Sequence, residues 1–189
     1  MTDVIAKAPP RFDLIVVGAG PAGASAARAA ALAGLSTLVL EKQRFPREKR
    51  CGGGLSGAAL RELDFPLPEQ LVERRCCGMW GVQHDILTEV RVERCVATMI
   101  ARPAFDASLA KKAVEAGARV VEGEACLSLE VLPDGVVVTT DKGKHRAALV
   151  IGADGFSSRV ARSVRPRWTK RETRFCLVAE VPLDPEAIE

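Results

Sequence analysis

The stretch DLIVVGAGPAGASAA, Asp13–Ala27, decides the fold of this chain. It begins with a short apolar run rich in β-branched residues, which is typical of a buried parallel strand. Three glycines follow with the spacing Gly18-x-Gly20-x-x-Gly23. The alanine-rich segment that begins at Pro21 predicts a helix. A strand, a glycine-rich turn and a helix in this order are typical of a dinucleotide-binding β-α-β unit.

The glycines and a downstream carboxylate have separate tasks in such a unit. Gly18 permits the tight turn, Gly20 lets a pyrophosphate approach the backbone, and Gly23 lets the helix pack on the strand. The helix N-terminus offers N–H groups and a positive dipole end to the phosphates. Glu41 ends the next predicted strand, 36–40, where a carboxylate binds the ribose hydroxyls. Because a carboxylate disfavours a bound 2′-phosphate, the pattern favours FAD or NAD over NADP.

The composition indicates a globular domain with a real hydrophobic core. The chain has 189 residues, of which 48% are hydrophobic and 27% charged. A net charge of +3 is too small to indicate nucleic-acid binding. The six cysteines form no C-x-x-C pair and there are two histidines, so we expect no metal site. We see no secretory signal and no apolar stretch typical of a membrane span, and therefore expect a cytoplasmic protein.

Basic residues are concentrated between Arg162 and Arg174. The simpler interpretation of this run is a solvated surface segment. The alternative is a patch that faces anionic lipid or a polyphosphate, which would make peripheral membrane contact possible.

The remaining patterns predict short helices and strands. One helix begins at Pro103 and ends before Gly117. Its apolar side chains, such as Phe105, recur on one face. Its charged side chains, such as Asp106, are expected to face solvent. Asp134-Gly135 predicts a hairpin turn. The other predicted elements are helices at 55–63 and 157–163 and strands at 78–82, 88–92, 95–101, 119–121, 125–131, 136–140, 148–151 and 173–181.

Three stretches of the chain resemble one flavoprotein family. The glycine-rich stretch resembles its FAD fingerprint. The segment ARPAFDASLAKKAVEAGA, Ala101–Ala118, resembles its R-x-x-F-D-x-x-L helix, and VIGADGFSSRVAR, Val150–Arg162, resembles its G-A-D-G-x-x-S motif. The stretches occur in the family's order. The chain is therefore identified as a member of the family that contains para-hydroxybenzoate hydroxylase-like monooxygenases and geranylgeranyl reductases.

The resemblance implies an α/β fold with a Rossmann-like FAD-binding domain, in which a parallel sheet carries a β-meander. We expect a leader at 1–11, the FAD-binding domain at 12–171, and the start of a truncated substrate-binding domain at 172–189. The family closes its FAD site with a later G-D motif, whereas the late Asp184 of this chain has no preceding glycine. The sequence is thus expected to be the N-terminal part of a longer enzyme.

The resemblance also implies which residues contact FAD. Arg102 would reach the cofactor as a planar, permanently charged donor. Asp154 either contacts the cofactor or caps the helix that follows it. Ala125 matches a position whose backbone meets the adenine side. The expected cofactor contacts are Gly18, Gly20, Ala22, Gly23, Glu41, Lys42, Cys51, Gly52, Gly54, Arg102, Ala125, Asp154 and Gly155.

The branch within the family is indicated by EKRCGGGLSG, residues 48–57. This stretch resembles a K-x-C-G-G-G-L pattern of the geranylgeranyl reductases, which implies that Cys51, Gly52 and Gly54 lie against the flavin. Glycine backbone can touch a flavin ring or a prenyl chain where a Cβ would clash. Cys51 is either a small apolar wall or, as the weaker interpretation, a reactive thiol.

The expected function is FAD-dependent reduction of C=C bonds in geranylgeranyl or polyprenyl chains. The resemblance implies hydride transfer from reduced flavin to one alkene carbon and protonation of the other by an acid that the sequence does not identify. The expected partners are a prenyl lipid or prenylated small molecule and NAD(P)H or another electron donor. Two alternatives remain open: an FAD-dependent aromatic monooxygenase or halogenase, and a flavin-binding fragment with no activity of its own.

Overall fold

A computed structural model of the chain describes residues 11–165, 172–173 and 176–179. The strands within them are β1 (Arg11–Val17), β2 (Thr37–Glu41), β3 (Gly54–Ser56), β4 (Val72–Cys76), β5 (Gly78–Gln83), β6 (Ile86–Arg91), β7 (Ala97–Ile100), β8 (Arg119–Glu122), β9 (Cys126–Leu132), β10 (Gly135–Thr140) and β11 (Lys144–Gly152). The helices are α1 (Pro21–Leu32), α2 (Gly57–Arg61), α3 (Arg102–Glu115) and α4 (Arg159–Val164), with a 3-10 turn at Glu69–Leu71.

A six-stranded sheet has the order β8-β2-β1-β11-β10-β9. The first four strands are parallel, and β10 and β9 continue the sheet as an antiparallel meander. The predicted Rossmann-like sheet with a β-meander is confirmed. The carboxyl ends of β1, β2, β8 and β11 share one edge, which is where ligands bind in open α/β sheets.

Hydrophobic residues cover both faces of the central strand β1, as a parallel sheet requires. Leu14 and Val16 pack with small residues of α1 and α3, including Ala27 and Ala113. Ile15 and Val17 pack on the other face with residues of β2, β10 and β11. The alanines of α1 allow this helix to lie close to the sheet, so the glycine turn that joins β1 to α1 has a rigid support on both sides.

The chain divides into two compact units. One comprises the described parts of Met1–Arg47 and Pro103–Arg167 and contains the six-stranded sheet; the other is centred on Glu48–Arg102. The second unit holds a three-stranded antiparallel sheet of order β3-β7-β4 and a two-stranded ribbon of β5 and β6.

The second unit differs most from the sequence prediction at β3 with α2 and at β4. The helix predicted at 55–63 is shorter, because residues 54–56 pair with β7 and the helix α2 begins only after Ser56, whose Oγ accepts a hydrogen bond from the N–H of Ala59. Strand β4 was not predicted, because its sequence VERRC lacks the alternation of apolar and polar residues that identifies a strand.

Some expectations fall on residues that the structure does not describe. Most of the expected leader at 1–11 lies outside the described residues. Residues 174–175 and 180–181 of the strand predicted at 173–181 also lie outside the described residues. The described residues of that segment do not form a strand. The expected domain boundaries stay predictions. Among the described residues, no helix is long and apolar enough to cross a membrane.

Candidate cofactor-binding site

The turn between β1 and α1 contains two glycines that the fold itself requires. Gly18 has a φ of +97°, and a Cβ there would lie 2.4 Å from the carbonyl oxygen of Ala153. A Cβ at Gly23 would lie 1.8 Å from the carbonyl oxygen of Gly18. Both distances are far below any real Cβ contact, so the backbone of this turn can form only with glycine at 18 and 23.

Gly20 is different, because the protein leaves room for a side chain there. Its φ is −71°, which any residue adopts, and a Cβ would meet only a terminal guanidinium nitrogen of Arg47, at 3.5 Å among the described residues. The space that a Cβ would fill is the cradle that a pyrophosphate needs to approach the backbone.

The N-terminus of α1 is open to an anion. Gly20 is the N-cap and offers no side-chain hydrogen bond, Pro21 opens the first turn, and that turn carries no acidic residue. The first N–H groups of a helix lack intrahelical partners, and their partial charge attracts phosphate. Ala22, an expected contact, lies in this turn.

Glu41 ties the end of β2 to the glycine turn. The side chain is 6% exposed. Its Oε2 accepts a hydrogen bond from the N–H of Ala19 at 2.9 Å, and its Oε1 accepts one from the N–H of Gln43 at 3.0 Å. A carboxylate has about four acceptor positions, so it keeps capacity for ribose hydroxyls. The contacts of Glu41 and of the exposed Lys42 with the ribose stay predictions.

The structure adds two residues that the sequence analysis did not assign to the site. Nη1 of Arg47 lies 3.3 Å from Oδ2 of Asp106, and Nε lies 3.7 Å from Oε2 of Glu41. The expectation that Asp106 faces solvent is wrong: it is fully buried on α3, because Arg47 compensates its charge. The R-x-x-F-D-x-x-L pattern, which places an acidic residue next to the buried Phe105, was the signal that could have revealed this.

Asp154 lies at the same edge of the sheet and caps α4. Its Oδ1 accepts a hydrogen bond from Oγ of Ser158, and its Oδ2 accepts one from the N–H of Arg159 at 2.6 Å. Gly155 follows with a φ of +77°. The capping interpretation of Asp154 is therefore confirmed, and cofactor contacts of Asp154 and Gly155 stay predictions.

Ala125 precedes β9 and pairs with a neighbouring turn. Its N–H donates to Oδ1 of Asp141 at 2.9 Å, and its carbonyl accepts from the N–H of Asp141 at 3.2 Å. The adjacent Glu124 is buried and accepts a hydrogen bond from Oγ1 of Thr140, with Nε2 of His145 at 2.6 Å. Burial raises the pKa of Glu124, but these two hydrogen bonds together with the Coulombic effects of His145 and Lys142 outweigh burial, so the pKa lies below its ordinary value. The contact of Ala125 with adenine stays a prediction.

The second unit contains the other glycine-rich stretch. Gly53 has a φ of +72°, a Cβ there would lie 2.3 Å from the carbonyl oxygen of Ile100, and the N–H of Ile100 donates to the carbonyl of Gly53 at 2.9 Å. Gly53 is therefore required by the fold. A Cβ at Gly52 would meet no described atom within 4 Å, and one at Gly54 would be 3.7 Å from Sδ of Met99, an ordinary contact.

The expected contacts are thus distributed over both units. Gly18, Gly20, Ala22, Gly23 and Glu41 are brought together at the carboxyl edge of the six-stranded sheet. The expected contacts in the second unit are Cys51, Gly52, Gly54 and Arg102. Cys51 is an exposed thiol outside any disulfide, and Arg102 is half-buried at the start of α3. Among the described residues, no group of histidine, cysteine and carboxylate side chains could hold a metal ion.

A comparison with protein families decides the cofactor. A family model described as "FAD binding domain" matches residues 11–185. This chain belongs to that FAD-binding family. Its cofactor is FAD, and the cradle at Gly20 with the uncapped N-terminus of α1 fits the pyrophosphate of that cofactor.

The curated relatives of the chain include reductases of geranylgeranyl lipids. A digeranylgeranylglycerophospholipid reductase of Methanothermobacter thermautotrophicus is 33% identical over 94% of this chain and 49% of its own length. Another, of Methanopyrus kandleri, is 39% identical over 80% of this chain and 42% of its own length. The chain therefore spans less than half the length of these relatives, whose names support the predicted resemblance to the geranylgeranyl reductases.

Solved structures show the same fold. A geranylgeranyl bacteriochlorophyll reductase-like protein from Thermoplasma acidophilum is 31% identical, with a TM-score of 0.69 over 77% of this chain and 40% of that one. The halogenase PltM also has a TM-score of 0.69, over 82% of this chain and 36% of its own, but at 21% identity this likeness concerns the fold alone.

Proposed function

We propose that the chain supplies the N-terminal, FAD-binding portion of an enzyme that reduces C=C bonds in geranylgeranyl or other polyprenyl chains. The observation that carries the proposal is the stretch Cys51–Gly54, in which Gly52 and Gly54 have room for a Cβ that the sequence does not use. The relatives named digeranylgeranylglycerophospholipid reductase support the substrate class.

The residues of the chain have distinct tasks in this proposal. The turn at Gly20 and the first turn of α1 bind the pyrophosphate, and Glu41 holds the turn against β2. FAD, when reduced, supplies the hydride that an alkene carbon accepts. The open positions at Gly52 and Gly54 let a flat ring or an extended apolar chain approach the backbone.

Cys51 has two possible tasks, an apolar wall or a proton donor. Its replacement by alanine separates them. As a wall, Cys51→Ala leaves FAD affinity and alkene reduction within about twofold, because a thiol and a methyl group are both small and apolar. As a proton donor, the variant keeps its FAD affinity and loses about a hundredfold or more in turnover.

The test of the proposal uses the complete gene product that contains this sequence. It is purified with its flavin, reduced anaerobically with dithionite or NAD(P)H, and incubated with digeranylgeranylglycerophospholipid. The expected result is a mass gain of two hydrogens for each reduced double bond. Heat-denatured protein with free reduced FAD is the control.

Two other results would overturn the proposal. Oxygen uptake that an aromatic compound stimulates, without any hydrogenation of prenyl chains, would assign the chain to a monooxygenase or halogenase. Stoichiometric FAD and full prenyl reduction by the 189 residues alone would contradict the proposed division of labour, in which this sequence binds FAD weakly and does not turn over.

The proposed location is the cytoplasm, with peripheral contact to a membrane that holds the substrate. The basic run Arg162–Arg174 supports contact with anionic lipid, although most of it lies outside the described residues and the guanidinium of Arg162 donates to the carbonyls of Ser157 and Ser158. Binding to anionic liposomes should weaken with salt and with charge reversal of Arg165, Arg167 and Arg171. Binding that these charge reversals leave unaltered would contradict this contact.

A further inference from the structure

Arg47 is a buried arginine that lies beside the glycine turn. Its side chain is 8% exposed, and one terminal nitrogen, Nη2, lies 3.5 Å from the position that a Cβ of Gly20 would occupy. Nε is buried and has no hydrogen-bond partner among the described residues. An arginine this deeply buried is uncommon unless its charge is paired, and a buried donor without a partner carries a free-energy cost.

Two carboxylates hold the guanidinium in place. Asp106, fully buried on α3, pairs with Nη1, and Glu41, at the end of β2, lies 3.7 Å from Nε. The guanidinium also lies over the ring of Phe45, 5.2 Å from its centroid. These contacts fix the plane of the guanidinium from three sides and leave the Nη2 side directed at Gly20.

The N-terminus of α1 meets the guanidinium at the same point. The first turn of this helix has no side-chain cap and no acidic residue, so its N–H groups are available to an anion. The open space at Gly20 is therefore bordered by backbone donors on one side and by a permanently charged planar donor on the other. Arginine is suited to such a position, because its fork matches the oxygens of a phosphate.

We propose that Arg47 binds the pyrophosphate of FAD at Gly20, and that Asp106 positions the Arg47 guanidinium for this contact. The proposal rests on FAD being the cofactor and is independent of which alkene the enzyme reduces. In this proposal the loop after β2 contacts the cofactor directly. The buried carboxylate of Asp106 on α3 serves to orient the guanidinium of Arg47. Glu41 serves as the second carboxylate that keeps the guanidinium oriented.

The experiment compares ligands with and without a diphosphate. Affinities of the complete gene product, stripped of flavin, are measured by calorimetry for FAD and ADP and by ligand-observed NMR for adenosine. Arg47→Met should weaken FAD and ADP by about tenfold to a hundredfold, the range for a lost hydrogen bond to a charged group, and change adenosine by less than about twofold. The affinities of Arg47→Lys for FAD and ADP should lie between those of wild type and Arg47→Met, since lysine keeps the charge but lacks the forked guanidinium.

Three further variants serve as controls. Lys111→Met removes a positive charge from the exposed face of α3 and should leave all three affinities unaltered. Arg47→Met/Asp106→Asn also removes the buried negative charge that Arg47 pairs with, so it keeps the fold if the single variant does not, and it should show the same selective loss of FAD and ADP. Asp106→Asn alone should weaken ADP by less than Arg47→Met does.

The proposal is overturned if ADP and adenosine weaken in parallel, if neither weakens, or if Lys111→Met has the effect of Arg47→Met. Each of these results would make Arg47 a structural ion pair without contact to the phosphates. No prenyl substrate enters the experiment, so its outcome is separate from that of the proposed function.

Discussion

The two glycine-rich stretches of this chain use the same residue type in opposite arrangements. In the turn Gly18–Gly23, the outer glycines are required by the fold and the middle one, Gly20, has room for a side chain. In Gly52–Gly54 the middle glycine is required and the outer two have room. The first stretch belongs to the six-stranded sheet unit and the second to the Glu48–Arg102 unit.

This difference separates two reasons for glycine. A positive φ or a backbone oxygen within 3 Å of the Cβ position explains glycine by the fold alone. Where a Cβ would fit, the fold gives no reason for glycine, and for the two glycine-rich stretches we propose that the reason is a ligand that approaches the backbone. Within the two glycine-rich stretches this criterion selects Gly20, Gly52 and Gly54, which we propose as the glycines that face a ligand.

The largest expected effect is that of Gly23→Ala. Its Cβ would lie 1.8 Å from the carbonyl oxygen of Gly18, so α1 has to move away from β1. Unfolding by urea, followed by circular dichroism, should show a loss of at least about 3 kcal/mol or no folded protein at all. A loss below about 1 kcal/mol would contradict the assignment of Gly23 to the fold.

Gly53→Ala should have the next largest effect on stability. Its φ of +72° and the carbonyl of Ile100 at 2.3 Å both oppose a Cβ, so the expected loss is about 2–4 kcal/mol. Gly34→Ala is the matched control, because its φ is +84° but its Cβ position is open; this variant should lose only about 1–2 kcal/mol. Equal losses in the two variants would show that the contact with Ile100 does not matter.

Gly52→Ala and Gly54→Ala should have the smallest effects on stability. Both Cβ positions are open or in ordinary contact, so we expect changes within about 0.5–1 kcal/mol, with Gly52→Ala neutral or slightly stabilising. In the complete gene product the same variants should lower the rate of prenyl reduction about tenfold or more, because a misplaced substrate reacts slowly. Loss of stability without loss of turnover would reverse the assignment of these two glycines.

The sequence predicted the parts of the fold that local patterns encode. The apolar run of β1, the glycine turn and the alanine-rich α1 follow directly from residue types and spacing, and α1 begins at Pro21 as predicted. The hairpin between β9 and β10 was predicted because Asp134-Gly135 marks its turn, whereas the meander as a whole was implied by the family resemblance. Strands β3 and β4 were missed because they form by pairing with β7 rather than through an apolar pattern of their own.

The candidate site was predictable where a motif names its residues and not where packing creates them. Gly18, Gly20, Gly23 and Glu41 follow from spacing. Arg47 lies in the loop after β2 among several other basic residues. The local sequence does not show that Arg47 is buried and not exposed. Its burial depends on Asp106, which comes from α3 far along the chain, and only the folded structure brings the two together.

Whether Gly20 leaves its Cβ space for the pyrophosphate of FAD is tested by two measurements on Gly20→Ala. The thermal midpoint of the flavin-free protein and its affinity for FAD are determined in the same preparations, with wild type beside them. We expect a thermal midpoint within about 2 °C of wild type, since a Cβ fits at Gly20. We expect an FAD affinity lower by about tenfold or more, since the Cβ fills the space of the pyrophosphate. An unaltered FAD affinity, or a midpoint that falls by several degrees, would contradict this role of Gly20.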